Sequence, residues 1–330
     1  MFRKYNTIEN TYRKEFLERI KNQGFGDEEY VVQEKVHGAN LSFITRDGKN
    51  FYVAKRTGLI EDGEKFYNYE KVFEDVKPQL EKLWKELKKD YPEMQQLNVF
   101  GELFGGHYPH PEVPKDKNGL MIQKGIFYSP DNRFYAFDIL INNEKFLDVD
   151  TASKYFDKAG LLHAKSLFRG SLDECLQYPN DFESTIPAEL GLPEIESNIA
   201  EGTVIKPVKP LFFNNGVRVI LKNKNEKWAE KIKRKKINKE ELKPSEKVLE
   251  LQEAIKTYVT ENRLNNVISK IGEVSQKDFG KLLGLYNKDI VEDFSKDYAD
   301  MLKDLDKKEI KLINKSIYDI TRKMIKEKIL

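Results

Sequence analysis

The sequence is poor in cysteine and histidine. Cys175 is the single cysteine, and there are four histidines in 330 residues. One cysteine cannot form an intrachain disulfide, and so few thiols and imidazoles exclude a cysteine-rich zinc site and a disulfide scaffold. This usage predicts a reducing compartment. We expect a cytoplasmic protein, with an organelle or a virus-infected host cell as alternatives.

Long apolar runs and a strong charge of one sign are also missing. The first residues, MFRKYNTIEN, lack the apolar core of a signal peptide, and no apolar run approaches membrane-spanning length. Lys and Arg total 57 against 55 Asp and Glu, a formal net charge of +2. Overall charge therefore does not indicate nucleic-acid binding. We expect a globular monomer with no membrane partner.

Short segments rich in β-branched and aromatic residues recur in the first two-thirds of the chain. Bounded by Gly, Asn, Asp or Pro, they predict strands over residues 41–45, 51–55, 97–103, 134–141, 202–208 and 217–222. Asp47-Gly48 predicts a hairpin turn. Residues 70–89 have helical spacing, with Pro78 as a candidate break. This pattern predicts an α+β fold of packed antiparallel sheets with flanking helices.

The character of the chain changes near residue 226. Between Lys222 and Lys247 there are eleven Lys or Arg and five Glu, a net charge of +6, centred on KIKRKK. Beyond this run the spacing is helical, and Ser275-x-x-Asp278 predicts a capping box. We therefore predict a first domain over residues 1–226, a basic linker over 227–247 and a small all-α domain over 248–330.

Lys35, in the stretch QEKVHGAN (33–40), is the candidate reactive residue. A lysine attacks phosphorus only when neutral, and at pH 7 roughly a few amines in ten thousand are neutral. Burial or nearby cations must therefore lower its pKa, and Lys206, Lys222 and Lys224 are candidate cations. The pattern K-x-x-G alone also matches many ordinary surface lysines.

Further motifs follow Lys35 in a fixed order. They are KRTG (55–58), FGEL (100–103), FYAFDI (134–139), EGTVIKP (201–207) and VILKNK (219–224). The set resembles the motifs of the covalent nucleotidyltransferases, which include ATP- and NAD-dependent ligases and mRNA capping enzymes. His37, in place of the commoner aspartate, resembles the RNA ligase 2 branch, which also holds the RNA-editing ligases. Residues 258–285 resemble the helical C-terminal domain of phage-type RNA ligase 2.

This resemblance implies a nucleotidyltransferase (ATP-grasp-like ligase) domain followed by the small helical domain. It implies an ATP-dependent RNA ligase that uses Mg²⁺ or Mn²⁺ and seals 3′-OH/5′-phosphate nicks in duplex RNA, or in an RNA/DNA hybrid, during RNA repair or editing. The reaction passes through a lysyl-AMP and then an adenylylated RNA end.

The resemblance also implies roles for individual residues. Lys35 is the nucleophile that carries AMP, and His37, Lys222 and Lys224 assist catalysis. Lys222 and Lys224 are two apart on a predicted strand, so both ammoniums can reach one phosphate. The implied nucleotide contacts are Glu34, Asn40, Arg56, Glu102 (ribose hydroxyls), Phe137 (adenine stacking), Glu201, Lys206, Lys222 and Lys224. Glu201 is also expected to hold the metal through water.

Several of these residues have a plainer interpretation. An aromatic in FYAFDILI, such as Phe137, is by default a core residue. Asn40, Arg56, Arg263 and Asp289 are implied RNA contacts, but Arg263 and Asp289 equally fit a helix-surface ion pair. His107 and His110 lie in a Pro- and Gly-rich stretch, which predicts a loop rather than a zinc site. Within the loop at 105–133, residues 106–130 resemble an insertion of the editing-type ligases.

Other activities share much of the motif set. A DNA ligase or an mRNA guanylyltransferase would also carry the motifs from Lys35 to Lys224, but both normally continue into an OB-fold of short strands. The helical spacing of residues 248–330 argues against both. A non-catalytic RNA-binding relative is the third alternative. Filled motif positions favour the enzyme.

Overall fold

The computed structural model describes residues 2–228 and 244–329, which form two compact units, Met1–Lys227 and Trp228–Leu330. Most of the predicted basic linker, including KIKRKK, lies outside the described residues. No described helix is both long and apolar enough to cross a membrane.

The first unit is a mixed α+β structure. Its strands are β1 (Glu9–Asn10), β2 (Tyr30–Glu34), β3 (Ala39–Thr45), β4 (Phe51–Lys55), β5 (Gly58–Leu59), β6 (Leu97–His107), β7 (Ser129–Ile141), β8 (Lys145–Phe146), β9 (Ser166–Gly170), β10 (Gly202–Pro207) and β11 (Leu221–Lys224). Its helices are α1 (Lys14–Asn22), α2 (Tyr69–Asp90), α3 (Val149–Ala159), α4 (Leu172–Gln177) and α5 (Ile186–Glu189).

These strands form two sheets. The order is β1-β11-β10-β2-β9 in one and β5-β4-β3-β6-β7-β8 in the other. Every pairing is antiparallel except that of β1 with β11, where Glu9 lies opposite Leu221. The predicted fold class is confirmed.

Apolar residues pack the two sheets together. A buried cluster joins Phe100 and Leu140 of the six-stranded sheet to Tyr5 and Ile220 beside the five-stranded one. The outer face of the six-stranded sheet packs on α2 and α3 in the largest core of the unit. Burial of both faces makes this sheet a rigid support for residues at its edge.

Two local predictions need adjustment. Helix α2 continues through Pro78 without a break. The strand predicted over 217–222 begins only at Leu221, because residues 211–219 form a tight turn. In this turn the N–H of Phe213 donates to Val217 O, and the N–H of Val219 donates to Leu211 O. The Asp47-Gly48 hairpin is present between β3 and β4, and Gly48 has a φ of +70°.

The register of β6 and β7 contains a bulge. Phe100 lies opposite Asp138, and Gly101 lies opposite Ala136, so Phe137 is an extra residue in its strand. A bulge changes the direction in which a side chain points and is common beside active sites.

The second unit is helical throughout its described part. Its helices are α6 (Pro244–Lys256), α7 (Glu261–Ile271), α8 (Phe279–Asp297), α9 (Ala299–Lys303) and α10 (Lys307–Ile329), around one apolar core. The predicted capping box is present: Ser275 and Asp278 cap a short 3₁₀ turn that leads into α8. This confirms the predicted helical C-terminal region.

Candidate active site

Lys35 lies at the end of β2, where the chain leaves the five-stranded sheet. Its backbone N–H donates to Gly202 O at 2.9 Å, which extends the pairing of β2 with β10 by one residue. Its Nζ lies 2.7 Å from Glu201 Oε2, and the side chain is 18% exposed. The amine is therefore held in place and still reachable from solvent.

Glu201 is the centre of a buried ionic cluster, which we call the Glu201 cluster. Lys224 Nζ lies 2.8 Å from Oε1, and His37 Nδ1 lies 3.3 Å from Oε2. The register explains the Lys224 contact, because Lys224 lies opposite Gly202 in the β10–β11 pair. Burial alone would raise the pKa of Glu201, but Lys224, Lys35 and His37 outweigh it and hold the pKa well below its usual value. Glu201 is thus an anion shared by three cationic or proton-donating groups.

The direct partner of Lys35 is an anion, which the sequence analysis did not predict. The carboxylate of Glu201 lies 2.7 Å from the amine of Lys35, which is ion-pair distance. The cation Lys224 binds the other oxygen of the same carboxylate, so Glu201 lies between the two lysines. The amine of Lys35 is therefore held in an ion pair with Glu201.

Glu102 lies on β6 opposite Asn40 of β3, and the Asn40 amide donates to Gly101 O at 3.3 Å. Gly38 passes so close to Glu102 that a Cβ would lie 2.3 Å from Leu103 O and 2.8 Å from Glu102 Cγ. Only glycine fits this position.

The carboxyl of Glu102 has an unusual pKa. Burial raises the pKa of Glu102 to about 7; Lys35 and Arg56 oppose this rise, and Glu201 adds to it. Near neutral pH, Glu102 can therefore either donate or accept a hydrogen bond. Its half-buried position beside Lys35 suits contact with hydroxyl groups of a ligand.

Phe137 and Arg56 are both held by the N-terminal segment. The half-buried ring of Phe137 packs edge-on against Tyr5, with ring centroids 4.9 Å apart. Arg56 Nη1 donates to Tyr5 O at 2.7 Å and to Asn6 O at 3.4 Å. Because Phe137 is the extra residue of the bulge, it does not follow the regular alternation of core residues on β7.

Glu34 is turned away from Lys35 and bonded within the protein. Its carboxylate accepts from Ser184 Oγ at 2.7 Å and from the N–H and Oγ1 of Thr185, each at 2.8 Å. Burial raises the pKa of Glu34, although these hydrogen bonds lower it. The side chain therefore organises the loop at 184–185.

Lys206 belongs to a second buried ionic cluster. It was predicted as a nucleotide-binding cation, but its side chain is 2% exposed and its Nζ donates to Asp138 Oδ1 at 3.1 Å and to Phe137 O at 2.9 Å. Arg218 Nη1 also donates to Asp138, at 2.8 Å, and the Tyr5 hydroxyl completes this group. We call it the Asp138 cluster. The ammonium of Lys206 is used to neutralise a carboxylate between the sheets, on the residue next to Phe137.

The arrangement of carboxylates fits magnesium or manganese better than zinc. Within residues 2–228 and 244–329, no group of three or more His, Cys, Asp or Glu is arranged to hold a metal. Mg²⁺ needs no such group, because it binds through one or two carboxylates, water and substrate phosphates. Glu201, with Glu102 nearby, meets that requirement. His110, which was considered as a zinc ligand, accepts at Nδ1 a hydrogen bond from the backbone N–H of Glu112 at 3.2 Å.

The loop between β6 and β7 contacts the Lys35 segment through residues that the sequence analysis missed. Tyr128 accepts a hydrogen bond from the backbone N–H of His37 at 2.9 Å, and Gln123 donates to Gly38 O at 3.2 Å. A tyrosine next to a predicted strand gives no sign of such a contact. Only the fold brings residues 123–128 to residues 37–38.

In the helical unit, Arg263 is part of a buried ion-pair network. Its side chain is 1% exposed and lies 2.7 Å from Asp289 and 3.0 Å from Asp293, while Lys270 lies 2.9 Å from the other oxygen of Asp289. Arg263 pairs with Asp289, and the contact of these two residues with RNA stays a prediction. Arg263 joins α7 to α8.

Comparison with known proteins covers most of the chain. The RNA ligase family model matches residues 28–224, and the model for the T4 RNA ligase 2 C-terminal region matches residues 241–323. The mitochondrial RNA-editing ligase 1 of Trypanosoma brucei brucei is 30% identical over 376 residues, covering 94% of this chain and 80% of the relative. RNA-editing ligase 2 of the same organism is 29% identical over 351 residues, covering 90% of this chain and 84% of the relative.

Solved structures of an RNA ligase from Naegleria gruberi are also similar. A mutant without ligand superposes with a TM-score of 0.46 at 14% identity, over 69% of this chain and 57% of that one. A mutant with AMP and Mn gives 0.46 at 13% identity with the same coverage. The matched part is less than two-thirds of the Naegleria chain.

Proposed function

The chain belongs to the RNA ligase family, and from that premise we propose that it is an ATP-dependent RNA ligase that joins a 3′-hydroxyl to a 5′-phosphate at nicks in duplex RNA. The observation that carries the proposal is the Glu201 cluster, in which one accessible amine, Lys35, lies with Lys224 and His37 around a buried carboxylate. A single nucleophile among phosphate-binding cations is what nucleotidyl transfer requires.

In the first step Lys35 takes up AMP. Lys35 Nζ attacks the α-phosphorus of ATP, so that an N–P bond forms, a P–O bond breaks and pyrophosphate leaves. Lys224 and Lys222 are two apart on β11 and therefore share a face, from which they neutralise charge that develops on the phosphate oxygens. His37, bonded to Glu201, orients the leaving pyrophosphate.

A divalent cation, Mg²⁺ or Mn²⁺, would be held at Glu201 through water and would supply further positive charge to the phosphates. Glu201 is 1% exposed and ionised, so it is a suitable anchor for the water shell of a hard cation.

The nucleotide would lie between Phe137 and the Glu102 side of the site. Phe137 stacks on adenine, an interaction that contributes roughly 1–3 kcal/mol per base. Glu102 binds the ribose hydroxyls, which its pKa of about 7 suits because it can donate or accept. Arg56 and Asn40 lie at the same edge and contact the ribose and the RNA end.

In the second and third steps the RNA end replaces Lys35. The 5′-phosphate attacks the lysyl-AMP, and Lys35 leaves; the 3′-hydroxyl then attacks the activated end, and AMP leaves. The helical domain, residues 248–330, and the basic linker, 227–247, engage the RNA backbone. We propose a monomer that repairs or edits RNA inside the cell and that also accepts some RNA/DNA hybrids.

A DNA ligase and an mRNA guanylyltransferase fit less well. Both would continue after β11 into strands, whereas the described residues from 244 to 329 are helical and match the C-terminal region of an RNA ligase.

The proposal is tested by incubating the protein with Mg²⁺ and either ATP or GTP, followed by mass spectrometry of the Lys35 peptide. We expect an AMP adduct on Lys35 with ATP and none with GTP. Lys35→Ala should show no adduct. Absence of the adduct from wild-type protein, or its presence on another residue, contradicts the proposal.

A second experiment tests the substrate. Nicked duplexes that differ only in which strands are RNA should be sealed fastest when both sides of the nick are RNA. Equal sealing of an all-DNA nick would instead favour the DNA ligase alternative.

A further inference from the structure

Tyr128 occupies a position that the proposed reaction does not yet use. It immediately precedes β7, at the end of the loop between β6 and β7, and is 2% exposed. Its hydroxyl accepts the backbone N–H of His37 at 2.9 Å. This contact joins two segments that are 91 residues apart in the chain.

The N–H of His37 lies in a segment without strand pairing. Lys35 still pairs with Gly202 of β10, and regular pairing resumes only at Ala39 in β3. The side chain of His37 is buried as well. A buried N–H without a partner costs about 1–3 kcal/mol, so Tyr128 supplies a bond that this turn requires.

Tyr128 is itself held from two sides. Its ring packs edge-on against Phe104 of β6, with centroids 5.3 Å apart. The neighbouring Phe127 exchanges two hydrogen bonds with the side chain of Asn198, of 2.8 and 2.7 Å. Asn198 lies three residues before Glu201 in the chain. Residues 127 and 128 therefore contact both segments that supply the Glu201 cluster, one near His37 and one near Glu201.

The hydroxyl stays protonated in this environment. Burial raises the pKa of Tyr128 well above its usual value; Glu34, Glu201 and Glu102 add to the rise, and the hydrogen bond from His37 opposes it. Tyr128 is thus a neutral, fixed acceptor throughout the pH range in which the protein would work.

We propose that Tyr128 is a positioning residue for adenylylation of Lys35: its hydroxyl fixes the turn at residues 35–38, and so aims Lys35 and His37 at Glu201 and at the incoming nucleotide. This rests on the proposed function. Small errors in the aim of a nucleophile are costly, since a displacement of about 1 Å can slow a reaction by about 100-fold.

The test compares two steps of the reaction in Tyr128→Phe. The first is single-turnover formation of the Lys35 adduct from ATP; the second is sealing of a nicked RNA that already carries AMP on its 5′ end, for which Lys35 need not attack. We expect adduct formation to slow by about 10- to 30-fold and sealing to stay within about 3-fold of wild type.

Tyr108→Phe is the matched control. Tyr108 is in the same loop and equally buried, and its hydroxyl donates to Pro193 O rather than to the Lys35 segment. It should leave both steps near wild type. Equal slowing of both steps in Tyr128→Phe, an unchanged adduct rate, or the same selective loss in Tyr108→Phe overturns the proposal.

Asn198→Ala serves as a second variant if Tyr128→Phe fails to fold. It removes the two bonds to Phe127 without touching residues 35–38, and should slow adduct formation by several-fold while sparing sealing. A wild-type rate for both steps in this variant contradicts the inference. Wild-type protein that forms no adduct contradicts the proposed ligase function instead, so the two failures are distinguishable.

Discussion

The Glu201 and Asp138 clusters are built from the same chemistry and differ in access. Each has a carboxylate at most 2% exposed that contacts two cationic side chains. In the Asp138 cluster both cations are also 2% exposed, whereas Lys35 is 18% and Lys224 10% exposed. Ion pairing therefore does not mark the reactive site. Access to solvent distinguishes the proposed reactive site, the Glu201 cluster, from the Asp138 cluster.

The Asp138 cluster, which is closed to solvent, should contribute most to the free energy of unfolding. Asp138→Ala leaves Lys206 and Arg218 buried without their counter-charge, and breaking a buried pair in this way costs about 3–5 kcal/mol. Chemical denaturation monitored by fluorescence measures the loss. Asp75→Ala, which breaks an exposed pair with Lys71, should cost less than about 1 kcal/mol. Similar losses of stability in both variants would mean that the buried Asp138 cluster stabilises the protein no more than an exposed ion pair does.

The Glu201 cluster, which is open to solvent, should contribute most to the rate of the proposed reaction. Glu201→Gln keeps the shape of the side chain but removes the charge that Lys35, Lys224 and His37 share. We expect formation of the Lys35 adduct to slow by about 100-fold, typical of losing an electrostatic contact in an active site. The free energy of unfolding should fall less than in Asp138→Ala, because water reaches the two lysines. A variant that unfolds as readily as Asp138→Ala while reacting normally would contradict this.

Glu102 extends the comparison to a carboxylate whose pKa is set mainly by burial. Its pKa in the folded protein is about 7, above the ordinary 4.5. Between these values the native state binds more protons than the unfolded state, so stability falls as pH rises from 4.5 to 7. Glu102→Gln removes this loss, and should gain about 1–3 kcal/mol over wild type between pH 5 and pH 8.

Denaturation of wild type and variant at both pH values measures this gain. Glu93→Gln, at an exposed position, controls for the loss of a charge alone. An equal pH response in the two variants would mean that Glu102 is not desolvated.

The smallest expected effect is in the helical unit. Arg263→Lys keeps the charge, but one ammonium cannot reproduce the forked contacts to Asp289 and Asp293, so we expect a loss of about 1 kcal/mol. Thermal unfolding measures it, with Lys303→Ala at an exposed pair as the control. If RNA affinity falls sharply while stability is unchanged, Arg263 contacts RNA after all.

The sequence was informative where local pattern decides the structure. Strand composition predicted β3, β4, β6 and β7 of the six-stranded sheet but only β10 and the start of β11 in the five-stranded one. Helical spacing predicted α2 and the C-terminal helices, and the motif order predicted that Lys35, Glu201 and Lys224 act together. Side-chain alternation does not reveal a partner in another strand. Lys206 was therefore assigned to the nucleotide, although Asp138, 68 residues away, holds it between the sheets.

The same limit applies to the other surprises. Arg263 is buried because α8 brings two aspartates to it, and Tyr128 meets His37 because the loop after β6 folds back on β2. The bulge at Phe137 depends on the register of two strands, which composition does not determine. In each case the missing information is a contact between distant parts of the chain.

The pairing of β1 with β11 has a consequence for how the protein is made. Glu9 pairs with Leu221 and Asn10 with Lys222, in each case 212 residues further along the chain. Pairings between such distant segments form late, since the whole intervening chain must first be available. A nascent chain that ends before Lys224 contains Lys35 but lacks the second lysine on Glu201. The Glu201 cluster is therefore complete only when the last strand of the sheet has formed.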